Sequence, residues 1–257
     1  MNYPDQDNPE QKSRRGVYLL PNMFTTAGLF AGFYAIVAAM GGRYEAAAIA
    51  IFVAMIMDGI DGRVARLTNT QSEFGVQYDS LSDMVCFGLA PALVMYEWSL
   101  HSMISIGWAK LGWLSAFIYT AGAALRLARF NTQIVTAEKR YFRGLPSPSA
   151  AAVLAGLVWI GADLGIAGKD VVYPAFVLTI LMGGLMVSNI SYYSFKEFNF
   201  KNRVPFVALL VVVLVYVFAS IDPPKALFLV FLCYALSGPF ITLIRLRKKR
   251  FTRRPGG

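Results

Sequence analysis

Long apolar stretches alternate with short polar ones along the whole chain, and that alternation predicts its elements. Eight runs stand out, at 17–40, 45–66, 82–98, 108–130, 148–166, 171–190, 204–221 and 226–245. Each is close to the length of about 20 mainly apolar residues that a helix needs to cross hydrocarbon. Within lipid a backbone must satisfy its own polar groups, so the runs predict an all-α integral membrane protein with eight transmembrane helices. Residues 1–16 are then a polar N-terminal segment, 17–245 a single polytopic domain and 246–257 a basic tail. The first run is too long and too far from the start for a cleavable signal, so the N-terminus is expected to be kept.

Composition agrees with that picture: 56% of the residues are hydrophobic and 15% charged, a balance that polar surface on a soluble domain could hardly cover. The net charge of +9 is explained by sidedness. Of the 24 Lys and Arg, only Arg43, Lys110, Lys169 and Lys225 fall on one face of the predicted bilayer. The excess on the other face makes both termini, and the loops after even-numbered runs, cytoplasmic. The closing run RLRKKRFTRR serves as a topology anchor or attracts anionic lipid; no nucleic-acid partner is expected. Cys86 and Cys233 lie in apolar runs without metal or redox spacing and are expected to be buried structural thiols.

Charge inside an apolar run costs about 2.5–3.5 kcal/mol per residue on the insertion scale, so its position marks function. The second run ends in IFVAMIMDGIDGRVARL and the third begins near FGVQYDSLSDMVCFGL. Asp58 and Asp61 are three apart, Asp79 and Asp83 four apart, and both spacings share a helical face. A short polar loop over 67–78 would make the two helices antiparallel neighbours, with their carboxylate pairs facing. Four such charges repel, so one or two divalent cations are expected among them. All-oxygen ligands favour Mg²⁺, with Mn²⁺ or Ca²⁺ able to replace it. The bland alternative is helix capping and pairing with Arg63 and Arg66. Gly59, Gly62 and Gly75 leave backbone open, for ligand approach or for helix packing.

Asp58, Asp61, Gly62, Ala65, Arg66, Gly75, Asp79 and Asp83 together spell D-x-x-D-G-x-x-A-R-x8-G-x3-D-x3-D, and on that signature the chain resembles the CDP-alcohol phosphotransferase family. The resemblance implies that family's fold and a CDP-activated lipid held through its diphosphate on metal. Asp58, Asp61, Asp79 and Asp83 would be metal ligands, with Asp83 also the general base for an acceptor hydroxyl. Gly62, Ala65, Arg66 and Gly75 would frame the cytidine diphosphate. Asn22 and Thr25 are further candidates for that contact, or simply a helix start beside a proline.

Four more stretches, PNMFTTAGLFAGF, ALRLARFN, FRGLPSPSAAA and MVSNISYYSFK, resemble the bacterial branch of the family whose acceptor is L-serine and whose lipid donor is CDP-diacylglycerol. Arg126, Arg129, Asn131 and Arg143 are candidates to hold the serine; positive-inside anchoring is the alternative for each. The Gly144-Leu145-Pro146-Ser147-Pro148 segment is expected as a loop able to close over the acceptor. The resemblance further implies a homodimer in the bacterial inner membrane. Two other readings remain open: an acceptor such as glycerol 3-phosphate or an inositol phosphate, and a divalent-ion transporter. His101, the single histidine, is placed in a loop away from the aspartates.

Overall fold

Alanine decides the first contact in the molecule. Ala31, Ala35 and Ala38 share one face of the first helix, α1 (Pro9–Met40), and Ala47, Ile51 and Ala54 share one face of the second, α2 (Tyr44–Leu67). With so little side chain between them the two helices pack along their length. Gly42 turns the chain at a φ of 72°, with Gly42 N–H on the Ala39 carbonyl and Arg43 N–H on the Ala38 carbonyl, the pairing of a Schellman C-cap. This computed structural model describes residues 9–252 except 69, 71, 134–140, 194–213, 215–216 and 219. Most of the run expected at 204–221, the first half of the N-terminal segment and the end of the basic tail lie outside the described residues.

After a connection at 68–72, Ser72 caps α3 (Glu73–Asp83) by accepting from Gly75 N–H at 3.0 Å. The helix then continues through a π-helical stretch, Met84–Leu89, into α4 (Ala90–Trp98). Pro91 accounts for part of this irregularity, since it has no N–H to offer the Phe87 carbonyl. That carbonyl accepts from the Tyr119 hydroxyl at 3.0 Å instead, and Thr120 reaches the Gly88 carbonyl at 3.3 Å. The expectation of a loop over 67–78 is therefore corrected: helix resumes at Glu73, and Gly75 sits in its first turn. Hydropathy marks where lipid begins, and a helix can run on past that point through polar residues.

The second half comprises α5 (Ala109–Gln133), α6 (Ser147–Asp163), α7 (Val172–Val187) and α8 (Pro223–Thr252). Helix α6 is the most enclosed, burying Ala150 through Gly156 against α2, α4, α7 and α8. Strands β1 (Tyr141–Arg143) and β2 (Ser191–Tyr193) pair antiparallel, joining the segments after α5 and α7, and buried Tyr192 donates to the Ala235 carbonyl of α8 at 2.9 Å.

Among the described residues, four stretches are long and apolar enough to cross a membrane: Pro21–Met40, Ala109–Thr132, Gly168–Val187 and Pro223–Ile244. Helix α2, at 24 residues, has the length but carries Glu45 in its first turn and a cluster of charges toward its C-terminal end. Phe30, Phe33, Phe117, Val177 and Phe240 point outward, which suits a lipid-facing surface. Cys233 corrects an expectation. It is exposed, whereas Cys86 is buried, because α8 turns most of its apolar surface outward and an apolar run does not by itself mean a protein core.

Helices α5 and α7 cross where two glycines meet. A Cβ at Gly122 would lie 2.6 Å from the Gly183 carbonyl oxygen. Gly122→Val is therefore expected to cost about 1–3 kcal/mol through overpacking, read as a lower thermal midpoint of the detergent-solubilised protein; an unchanged midpoint would refute this account of the crossing.

Candidate functional site

Helices α1, α2 and α3 converge at one end of the bundle, and each brings oxygen. Carboxylate oxygens of Asp58, Asp61 and Asp79 lie within 4.8 Å of one another. Oxygens bound to one hard cation at about 2.0–2.6 Å can be no farther apart than about 4–5 Å, so this trio fits a single ion. Asp61 is 4% exposed, and its Oδ2 accepts from the Thr25 hydroxyl of α1 at 2.7 Å. Asp83, one turn beyond Asp79, has Asp58 within hydrogen-bonding contact and Asp79 and Asp61 as further charged neighbours. A cavity of about 10 Å³ among these groups is also lined by Gly28, Ala54, Ser82, Cys86 and Phe87, room for about one water-sized body. The donor set can hold a hard divalent cation.

Neighbouring contacts hold the trio together. The Ser82 hydroxyl donates to the Thr25 carbonyl at 3.3 Å, the Cys86 thiol to the Gly28 carbonyl at 3.2 Å, and Thr26 and Tyr78 hydroxyls meet at 2.9 Å. Sequence reasoning missed Ser82, Cys86 and Tyr78 as neighbours of the site. The first two could have been found, since Ser82 follows Asp79 by three residues and Cys86 follows Asp83 by three; Tyr78 carried no signal.

The rim is small and open. A Cβ at Gly59 or Gly62 would meet nothing within 4 Å among the described residues, so packing between the described helices explains neither glycine. Gly75 is tighter, its added Cβ falling 3.1 Å from Ser72 Oγ and 3.6 Å from Asn22 Oδ1; this brings Asn22 of α1 beside the first turn of α3. Arg66 is exposed and folds its Nε–H onto the Gly62 carbonyl at 2.8 Å, while Ala65 is half-buried on the same turn.

The four residues considered for the acceptor separate. Arg126 donates from Nη1 to the buried Ser147 hydroxyl at 3.1 Å and has Asp83 as an electrostatic neighbour. Arg129 binds the Val187 carbonyl at 3.3 Å and the Asn189 side chain, and Asn131 donates to Ser80 at 3.1 Å. These two tie α5 to its neighbours. Arg143 is exposed on β1. The expectation of a closing loop at 144–148 is corrected: Gly144 and Leu145 are buried, with their N–H groups on the Ile190 and Leu185 carbonyls at 2.8 and 3.0 Å. The segment is a fixed wall. His101 is exposed on the turn Leu100–Ile104, its ring against Tyr96.

Comparison with known proteins points the same way. A Helicobacter pylori (strain ATCC 700392 / 26695) protein named CDP-diacylglycerol–serine O-phosphatidyltransferase is 34% identical over 203 residues, 78% of this chain and 83% of its own. A Mycobacterium leprae (strain TN) protein of the same name is 31% identical over 89% of this chain and 77% of its own. One from Methanocaldococcus jannaschii is 38% identical over 55% and 61%. The family model for CDP-alcohol phosphatidyltransferase matches residues 18–188, a span that takes in Thr25, the four aspartates, the glycine rim and Arg126. With the aspartate signature converged in space and most of the chain matched, this protein belongs to the CDP-alcohol phosphatidyltransferase family.

Proposed function

We propose that the chain transfers the phosphatidyl group of CDP-diacylglycerol to the hydroxyl of L-serine, giving phosphatidylserine and CMP. The observation that carries the reading is the carboxylate trio with Asp83 beside it; the choice of serine is supported by the names of the relatives. Asp58, Asp61 and Asp79 would hold one or two divalent cations, Mg²⁺ or Mn²⁺, with Asp83 able to contribute. Such a cation supplies neutralisation of the diphosphate charge. Gly62, Ala65, Arg66, Gly75, Asn22 and Thr25 would surround the cytidine diphosphate, small residues admitting the ligand to the backbone and Arg66 meeting phosphate with its planar fork.

Asp83 is the base in this reading. It takes the serine hydroxyl proton as that oxygen bonds to the lipid-side phosphorus, the bond to the bridging oxygen breaks, and CMP departs with the electron pair. Arg126, beside Asp83, meets the serine carboxylate. The lipid tails reach the site sideways from the cytoplasmic leaflet, so they need no cavity of their own. The enzyme is a homodimer of eight-helix subunits in the bacterial inner membrane, both termini cytoplasmic, with one catalytic domain over 17–245; the sidedness of Lys and Arg supports the orientation, and the family resemblance the dimer.

Purified protein given CDP-diacylglycerol, Mg²⁺ or Mn²⁺ and single alcohols is expected to release CMP with L-serine. Release with glycerol 3-phosphate but not serine would overturn the acceptor. Asp61→Ala and Asp79→Ala are each expected to bring turnover to background while the thermal midpoint in detergent holds, and EDTA to do the same reversibly; retained turnover in either variant would remove the metal reading. Thr25→Ala loses the bond that orients Asp61. It is expected to raise the metal concentration for half-maximal CMP release about 10–100-fold, with turnover at saturating metal largely retained.

A further inference from the structure

A second cavity, of about 400 Å³, opens at the end of the bundle away from the aspartates. Tyr44, the first residue of α2, lines it, and Asp58 lies about 21 Å farther along that helix at about 1.5 Å per residue. The volume falls within the range of about 300–1,000 Å³ that small-molecule sites occupy. Close backbone contacts fix its walls. A Cβ added at Gly168 would fall 1.9 Å from the Trp98 carbonyl oxygen and one at Gly161 would fall 2.2 Å from the Trp98 ring, while the Ser99 hydroxyl donates to the Gly168 carbonyl at 2.7 Å. The end of α4 and the connection from α6 to α7 therefore hold one shape between them.

The polar groups of the lining differ in what they still offer. The Tyr44 hydroxyl gives its proton to the Glu97 carbonyl at 3.2 Å, and the Ser102 hydroxyl gives its own to the Ser99 carbonyl at 2.7 Å, so both oxygens are left to the cavity as acceptors. The half-buried Glu97 carboxylate adds two more, and among the described residues it is in no ion pair. Acceptors and a negative charge in one wall call for a cation with several N–H donors. Lys169 and His101, both exposed at the mouth, offer donors instead, and Lys169 too is in no ion pair among the described residues; an anion answers that side. Ile166 and Ala167 continue the mouth in apolar surface. Trp108 and Tyr173, exposed beside the starts of α5 and α7, suit the headgroup level of a membrane at this end.

We propose that this cavity binds a zwitterionic phospholipid by its headgroup, with the ammonium on Glu97, Tyr44 and Ser102 and the phosphate on Lys169 and His101, at the membrane face opposite the aspartates. The chemistry recognised is an ammonium joined to a phosphate, which soluble phosphoethanolamine also carries. The apolar mouth selects the lipid, because acyl chains can leave along it. An anionic lipid without an ammonium would set its charge against Glu97 and leave the acceptors unanswered. This site is separate from the transfer reaction and does not depend on which alcohol accepts the phosphatidyl group.

The test takes the full-length protein in detergent into native mass spectrometry, with equal amounts of phosphatidylethanolamine and phosphatidylglycerol of identical acyl chains. The unmodified protein is expected to retain phosphatidylethanolamine about fivefold over phosphatidylglycerol, the scale of one partly exposed ion pair. Glu97→Gln is expected to bring that ratio close to one. Lys169→Gln removes a phosphate contact common to both lipids, and should lower both while keeping the ratio. Asp170→Asn, next in the chain but outside the lining, should change neither, and all three variants should keep the thermal midpoint. An unmodified protein that shows no preference, or a preference that survives Glu97→Gln, overturns the proposal. Soluble phosphoethanolamine is expected not to displace the bound lipid; displacement by it overturns the lipid as occupant.

Discussion

Mutual repulsion of carboxylates is the constraint around which this molecule is built. Three of them share a space 4.8 Å across, and at an effective dielectric of about 20 each ionised pair at that distance repels by about 3–4 kcal/mol. Summed over the trio this reaches on the order of 10 kcal/mol, the size of a whole domain's net stability. Such a cluster persists only when positive charge answers it, which is the physical case for a divalent cation at this point. The packing around it serves the same convergence: the alanine face of α1 and α2 sets their separation, Thr25 fixes one oxygen of Asp61, and Ser82 ties α3 back to α1.

The two halves of the chain contribute differently. Helices α1 to α4 carry the acidic cluster and the open glycine rim with Arg66, while the second half carries Arg126 and Arg129 on α5 and the short β1–β2 pairing. Where they meet, Arg126 of α5 faces Asp83 of α3. The junction is reinforced by Asn131 on Ser80 and by Tyr119 on the Phe87 carbonyl. The latter bond stabilises the π-helical stretch that begins one residue after Asp83; π-bulges of this kind often accompany functional sites. In the proposed reaction, base and acceptor contacts thus come from opposite halves of one bundle.

Much of the site was legible because its residues are close in sequence. Asp58 with Asp61, and Asp79 with Asp83, lie on single helices, where spacing alone decides which side chains share a face. The membrane character was legible as well, because hydrocarbon imposes one requirement on every span. What hydropathy misread were features in which apolarity has two meanings: the Cys233 face of α8 points outward, and α3 begins nine residues before the apolar run that was its only signal. The closing loop at 144–148 failed for another reason. Proline and glycine announce a turn, but only the Ile190 and Leu185 carbonyls, far along the chain, decide that the turn is buried and fixed.

By itself the sequence determined the acidic signature, the spacing that pairs its aspartates and the apolar character of the long helices, all of which follow from local geometry and from the solvent each residue must meet. Only the tertiary structure decided which oxygens converge, that Thr25 bonds Asp61, that Arg129 and Asn131 are ties between helices, and that Arg126 has Asp83 as an electrostatic neighbour. Those relations join residues dozens of positions apart, and no periodicity along a chain encodes how separate helices are turned toward one another.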